Sequence, residues 1–318
     1  MTDDFGRTIN YLRISVTDRC NFRCIYCMPK CGVKQLPHAQ ILRYEEILHI
    51  VEIMAQLGIH RFRLTGGEPL VRPHLYQLVE KLKKIDGVET VALTTNGFLL
   101  HEQLDDLVSA GLDEINISLD AMSSNLFEKI TCFPGIENVF KSIFRALSSP
   151  MKVKLNCVAL GINDSELSSI AELARNNKLD VRFIELMPIG LGSCFSTRKE
   201  NEIISLIRHI TGPLIPDIQS DKEGPCKYYT ADGFLGRIGF ISPISHKFCH
   251  RCNRIRLTSD GFLKTCLQYS CGMDLKPFLN SEDDILKSAI IQAVQNKPAC
   301  HNFGQFESDQ RKMYQIGG

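Results

Sequence analysis

An α/β fold on a parallel sheet is what this sequence predicts, because short apolar runs alternate with amphipathic helical runs six times between residues 11 and 188. A second observation agrees. Polar or glycine-containing segments close the strand-like runs at residues 65–69, 94–97, 118–120 and 185–188. In parallel β/α folds the C-terminal ends of the strands carry the active site. The third observation is the spacing Cys20, Cys24, Cys27, directly after the first run. Loops after strands are polar in any such fold, but four of them together with the cysteines mark one end of the sheet as functional.

Strands are expected at residues 11–16, 61–64, 91–94, 114–119, 153–160 and 181–186. Helices are expected at 41–57, 74–84, 101–110, 136–147 and 165–176. In the first helix Ile47, Ile50, Val51, Met54 and Leu57 fall on one face. Pro73 marks the start of the second, and Gly111 caps the third. After Pro188 glycine and proline become frequent, at 211–216 and 224–225. Residues 228–241 read as a hairpin around Asp232-Gly233, and a further helix is expected near 282–294. The expected division is a core over 1–188 and a C-terminal extension over 189–318, whose modest apolar content argues against a free domain.

Composition narrows the function classes. Of 318 residues 44% are hydrophobic and 23% charged, as in ordinary soluble proteins. A net charge of +1 provides no global field for nucleic acid, so an anionic ligand must be held by a local cluster of cations. The first residues carry Asp3 and Asp4 and no apolar run, which argues against a signal peptide. The greasiest window, 47–57, is broken by His49, Glu52 and Gln56, so no membrane span is expected. These features predict a cytoplasmic chain with neither nucleic-acid nor membrane partners. Thirteen cysteines without an export signal favour metal or redox chemistry over disulfides.

Cys20, Cys24 and Cys27 have the spacing C-x3-C-x2-C. Three thiolates can bind three irons of a cubane and leave the fourth iron open to a substrate. A zinc site or buried free thiols are the alternatives, and Cys31 is close enough to be a rival ligand. Cys249, Cys252 and Cys266 form a second triad, C-x2-C-x13-C. A zinc ribbon would need a fourth ligand, which Cys271 or His250 could supply. The other reading is a second cubane with an open iron facing the substrate. Arg254 and Arg256, two apart on an extended segment, share a face and suit an anionic or purine-bearing ligand. Solvated surface arginines are the plainer alternative.

The run Arg13-Ile14-Ser15-Val16-Thr17-Asp18-Arg19-Cys20, then Cys24, Tyr26, Cys27, Met28 and Pro29, resembles the radical S-adenosylmethionine (SAM) superfamily. Thr65-Gly66-Gly67-Glu68-Pro69 is similar to its glycine-rich SAM motif, where glycines let the backbone approach the methionyl end. The segments around Ile241, Phe248, Cys249, Cys252-Asn253-Arg254-Ile255-Arg256, Asp260-Gly261 and Cys266, with the Ile316-Gly317-Gly318 end, resemble the GTP 3′,8-cyclase family almost from end to end.

That resemblance implies a partial (β/α)6 TIM-like barrel with a C-terminal cluster-binding extension closing the barrel mouth. It implies two 4Fe-4S clusters, the first on Cys20, Cys24 and Cys27 with SAM on its open iron, the second on Cys249, Cys252 and Cys266. SAM contacts fall on Tyr26, Gly67, Ser118 and Met187. GTP contacts fall on Arg13, Arg63, Thr94, Lys154, Arg254, Ile255 and Arg256, with Arg13, Arg254 and Arg256 as the catalytic residues. The reaction implied starts with a 5′-deoxyadenosyl radical taking hydrogen from C3′ of GTP. The C3′ radical closes onto guanine C8, and a further electron and a proton then give (8S)-3′,8-cyclo-7,8-dihydroguanosine 5′-triphosphate, the first step of molybdenum cofactor biosynthesis. The same resemblance implies an external electron donor, hand-over to the next enzyme of that pathway, a homodimer, and a Gly-Gly tail reaching into the site. Departures are Cys31 and a short 188–241 stretch. The rival readings are a radical SAM peptide-modifying maturase and a non-catalytic metal scaffold.

Overall fold

The structure is a computed structural model that describes residues 1–218, 224–303, 311 and 313–317. Six strands alternate with helices: β1 (Tyr11–Ser15), α1 (Tyr44–Gln56), β2 (Arg61–Thr65), α2 (Leu75–Lys83), β3 (Thr90–Thr95), α3 (Leu100–Ser109), β4 (Glu114–Ser118), α4 (Ser124–Thr131), α5 (Ile136–Leu147), β5 (Lys152–Ala159), α6 (Leu167–Glu172) and β6 (Asp180–Glu185). The rest contributes α7 (Glu200–Thr211), β7 (Ile215–Pro216), β8 (Lys227–Thr230), β9 (Ile238–Ile241), β10 (Arg254–Leu257), β11 (Phe262–Lys264), β12 (Gly272–Asp274) and α8 (Asp283–Gln295). Among the described residues no helix is long and apolar enough to cross a membrane.

All strands lie in one sheet of order β12-β11-β10-β1-β2-β3-β4-β5-β6-β9-β8-β7. The stretch from β10 to β9 is parallel throughout, and the outermost strands on each side pair antiparallel. This is an open, partial barrel, because β9 and β10 each pair inward and not with one another. The six expected repeats are therefore joined by two parallel staves from the extension. The extension does not merely sit over the mouth; it lengthens the wall on both sides.

Alternation decides what the barrel holds. Outward-facing Leu12, Phe62, Leu64, Leu93, Ile115 and Leu155 are fully buried beneath the helices. Each such side chain contributes about 1.5–3 kcal/mol by leaving water. The inward row runs Arg256–Arg13–Arg63 across β10, β1 and β2 in direct register. Thr94, Asn116 and Lys154 form a second inward row across β3, β4 and β5. Barrel interiors are ordinarily packed with branched apolar side chains. A polar interior leaves room and hydrogen-bonding capacity for a ligand instead.

Three local expectations need correction. Helix α4 was not foreseen; it spans only two turns, and Ser123 caps it by accepting the Leu126 N–H at 3.4 Å. The helix expected from residue 41 starts at Tyr44, where the Glu46 carboxylate accepts the Arg43 backbone N–H at 2.6 Å. The helix expected over 165–176 is a 3-10 turn (Asp164–Glu166) followed by the short α6. Its continuation is stopped because the carbonyls of Ala174 and Arg175 accept from Gly236 and Leu235, both at 2.9 Å. Elsewhere the predicted ends shift by one or two residues. The foreseen hairpin is β8–β9, and the foreseen C-terminal helix is α8.

Candidate active site inside the barrel

One cavity of about 440 Å³ occupies the barrel, and both cysteine triads line it. The first triad follows β1. Its loop is fastened by α4, whose C-terminal carbonyls on Thr131 and Ile130 accept from Arg23 N and Ile25 N at 2.8 and 2.9 Å. Phe22 anchors the loop by packing against Phe98, Phe127 and Phe133, with ring centroids 5.2–5.9 Å apart. Burial pushes the thiols of Cys20 and Cys27 up to about 12, and that of Cys24 well above its ordinary value. Such thiols stay protonated without a metal, and coordination removes the proton outright. Among the described residues no three His, Cys, Asp or Glu converge on a single-ion position. A cubane does not require that, since it takes one thiolate per iron. Cys31 is exposed and does not line the cavity.

Gly66 and Gly67 also have a packing reason. A Cβ on Gly66 would lie 2.7 Å from the Thr17 carbonyl oxygen, and one on Gly67 would collide with that of Arg19. Gly67 N and Glu68 N donate to those same carbonyls at 2.9 and 2.8 Å. The glycines thus let β2 grip the segment entering Cys20. Glu68 is buried, which pushes its carboxyl up to about 7 against hydrogen bonds from Asn96 N (2.6 Å), Thr95 Oγ1 (2.7 Å) and Leu70 N (3.0 Å). It ties the ends of β2 and β3 together.

Tyr26, Gly67, Ser118 and Met187 all line the cavity. The Tyr26 hydroxyl donates to Asp120 at 2.7 Å, so its ring is fixed from below. Met187 is held by a turn at Gly192, where a Cβ would sit 2.6 Å from the Met187 carbonyl. Gly317, with φ +69°, sits so close to Thr65 and Ser15 that a Cβ would strike Thr65 Oγ1. Gly317 therefore packs against the C-terminal end of β2, and Met313 and Tyr314 before it line the cavity; Gly318, the other half of the expected Gly-Gly tail, lies outside the described residues.

The second triad approaches from the extension. Cys249 opens a short turn, Cys252 leads into β10, and Cys266 follows β11. Arg7, buried and paired with Asp3 at 2.6 Å, donates to the Cys249 carbonyl at 2.9 Å and to those of Ala299 and Pro298 at 2.8 Å. Buried Lys297 donates to the carbonyls of Arg254 (3.0 Å) and Thr265 (2.5 Å), bridging the segments that carry Cys252 and Cys266. Burial raises the Cys252 thiol, but Lys297, Arg254 and Arg256 outweigh it and bring the thiol below its ordinary value. Cys271 is bonded by Thr265 Oγ1 at 3.4 Å; neither it nor His250 lines the cavity.

The parallel pairing of β10 with β1 sets Arg254 opposite Tyr11 and Arg256 opposite Arg13. Burial and the neighbouring guanidinium of Arg254 bring Arg256 down to about 10; burial and Arg256 push Arg13 well below its ordinary value. Arg63 and Lys154 also line the cavity, and both reach Glu114 on β4, at 3.1 and 2.9 Å. Ile255 is different. Its side chain is 1% exposed and belongs to the core beside Leu12, so only its backbone can meet a ligand. Thr94 Oγ1, Asn116 Oδ1 and Arg182 Nε are buried without a hydrogen-bond partner among the described residues. Buried polar atoms are rarely left so, and a polar ligand in this cavity would satisfy them.

A cysteine-lined cavity at the strand ends is what the Radical SAM superfamily family match, over residues 14–174, leads one to expect; Molybdenum Cofactor Synthesis C matches residues 179–303. The chain is 42% identical over 323 residues to the GTP 3′,8-cyclase of Clostridium perfringens (strain SM101 / Type A), covering all of both chains. It is 44% identical over 325 residues to that of Pelotomaculum thermopropionicum, again covering all of both. This chain belongs to the GTP 3′,8-cyclase family. SuiB of Streptococcus suis bound to S-adenosylmethionine superposes with a TM-score of 0.65 at 13% identity, covering 91% of this chain and 68% of that one, which shows the fold. SAM and an iron–sulfur cluster belong to the radical SAM family, and the cavity offers cysteines for the cluster and a polar wall for the cofactor.

Glu114, Arg182, Lys297, Gly192 and the Arg7–Asp3 pair were not singled out from sequence. Arg182 and Glu114 sit at inward positions of strands whose outward residues are apolar, so strict alternation could have flagged them. Lys297 and Arg7 carry no such signal.

Proposed function

We propose that this chain converts GTP to 3′,8-cyclo-7,8-dihydroguanosine 5′-triphosphate, opening molybdenum cofactor biosynthesis. The observation that carries this reading is the inward row Arg256–Arg13–Arg63, with Arg254 and Lys154, inside a cavity that both cysteine triads line. Several guanidiniums in one buried wall have no packing purpose and repel one another; an anion of several charges offsets that repulsion. No phosphate-cradling glycine loop is present, so side chains must hold the phosphates.

When bound, the first cluster and SAM supply reductive cleavage of SAM and hence hydrogen abstraction. The chain's own residues do the rest. Arg13, Arg63 and Lys154 hold the phosphate chain, with Thr94 offering a hydroxyl beside them. Arg254 and Arg256, next to Cys252, and the Ile255 backbone orient the base end against the second triad, which we assign to a second 4Fe-4S cluster. Tyr26, Gly67, Ser118 and Met187 line the SAM end. The buried wall excludes water from the radical path. The division at residue 188, an external electron donor, a homodimer, transfer to the next enzyme and a cytoplasmic location belong to the same reading.

The test is 5′-deoxyadenosine formation by anaerobic, iron-loaded protein. It should depend on GTP, and Arg256→Ala should lower cyclisation about 100-fold while iron at the first triad is retained. Turnover indifferent to GTP, or stimulated instead by a peptide, would overturn the reading.

A further inference from the structure

The carboxylates lining the cavity are of two kinds. Glu68, Asp120 and Glu185 each accept backbone N–H groups: Glu68 from Asn96 and Leu70, Asp120 from Val158, Glu185 from Ile244 and Ser245. They staple strand ends. Glu114 instead accepts from two cations of the cavity wall, Arg63 at 3.1 Å and Lys154 at 2.9 Å. Arg63 is further fixed by the Tyr11 hydroxyl and by the Leu93 carbonyl at 3.1 Å. A carboxylate in a wall meant for an anion would compete with it, unless its purpose is to hold that wall ready.

We propose that Glu114 is a positioning residue for the substrate's phosphate chain, holding Arg63 and Lys154 together as a cationic grip before the anion arrives. This rests on GTP being the ligand. Glu114 is suited to the task because it stays ionised. Burial alone would raise its carboxyl, but Lys154 and Arg63 hold it at about 2. Lys154 depends on it. Burial brings that ammonium down to about 8, with Glu114 opposing the fall while Arg182 and Lys152 add to it. The other groups facing Lys154 are Asp180 on β6, which is engaged by Arg237 at 2.8 Å, and the Cys226 thiol before β8. Neither replaces the carboxylate of Glu114.

The sign follows. Phosphate binding favours the charged ammonium, so GTP affinity should fall as pH rises through about 8. Removing the carboxylate lets the ammonium lose its proton at lower pH, so the fall should begin earlier. Each unit of displacement costs up to about tenfold in affinity above both values.

The experiment measures GTP affinity of anaerobic, cluster-loaded protein at acid and alkaline pH, for wild type, Glu114→Gln and Lys154→Arg. The weakening of Glu114→Gln relative to wild type should grow about tenfold from roughly pH 6.5 to roughly pH 8.5, since the nucleotide's own titration cancels in the ratio. In Lys154→Arg the alkaline fall should vanish, because a guanidinium stays charged. A ratio that does not change with pH is what a merely structural role gives, and it overturns the inference alone. If Glu114→Gln does not fold, an alkaline fall identical in wild type and Lys154→Arg overturns it. Wild type that binds no GTP at either pH overturns the reading beneath it.

Discussion

The loop carrying Cys20, Cys24 and Cys27 is packed among phenylalanines, whereas the one carrying Cys249 and Cys252 is pinned by cations. Phe22, Phe98, Phe127 and Phe133 surround the first, and burial pushes all three of its thiols up. Around the second, Arg7 and Lys297 bond the backbone, and Lys297, Arg254 and Arg256 bring Cys252 below its ordinary value. The two triads thus differ in electrostatic setting at Cys252, which cations lower while burial raises every thiol of the first. The apolar loop makes the first triad depend on its metal for charge. In the second, the basic setting favours thiolate beforehand at Cys252, whereas burial raises Cys249, and the cations beside Cys252 also line the cavity where we place an anionic substrate.

That contrast can be broken by removing one ligand at a time. Cys24→Ser should abolish 5′-deoxyadenosine formation, whereas Cys252→Ser should leave SAM cleavage but abolish cyclisation; each should lose iron from its own triad only, read by iron analysis and electron paramagnetic resonance. Equal loss of SAM cleavage in both would contradict the separation of roles.

A smaller effect is expected at Lys297. Lys297→Met removes both the bridge between the second triad's segments and the nearby charge, and iron affinity there should fall about tenfold or more, in line with other groups that support metal ligands. The signal of the first triad should persist. A Lys297→Met protein retaining full iron under chelator challenge would show that the cations are incidental. The smallest effect concerns the first loop. Gly67→Ala should cost about 1–3 kcal/mol from the collision with the Arg19 carbonyl. Urea denaturation measures it, and an unchanged midpoint would refute the gripping role of that glycine.

Both triads and the glycine-rich segment were legible because metal chemistry restricts residue type and spacing along a short stretch of chain. The alternating pattern of β1 to β6 was legible because outward positions must be apolar wherever helices cover them. Helix α4 was not, since two turns carry too few apolar repeats to register, yet it fastens the first triad. The 165–176 helix was overestimated because its end is set by Leu235 and Gly236, distant in sequence.

By itself, then, the sequence determined the class of fold, the two cysteine spacings and the family. Tertiary structure alone decided what those cysteines face. Arg256 meets Arg13 only because β10 returns from the extension to lie parallel against β1, and Glu114 meets Lys154 and Arg63 only because β5 pairs directly with its strand β4 while β2 lies beyond β3 on the other side. Spacing along a chain is local, whereas strand pairing joins residues that no local interval relates. Lys297 and Arg7 make the same point, since a buried cation and a solvated one read alike until the backbone carbonyls they bridge are brought together.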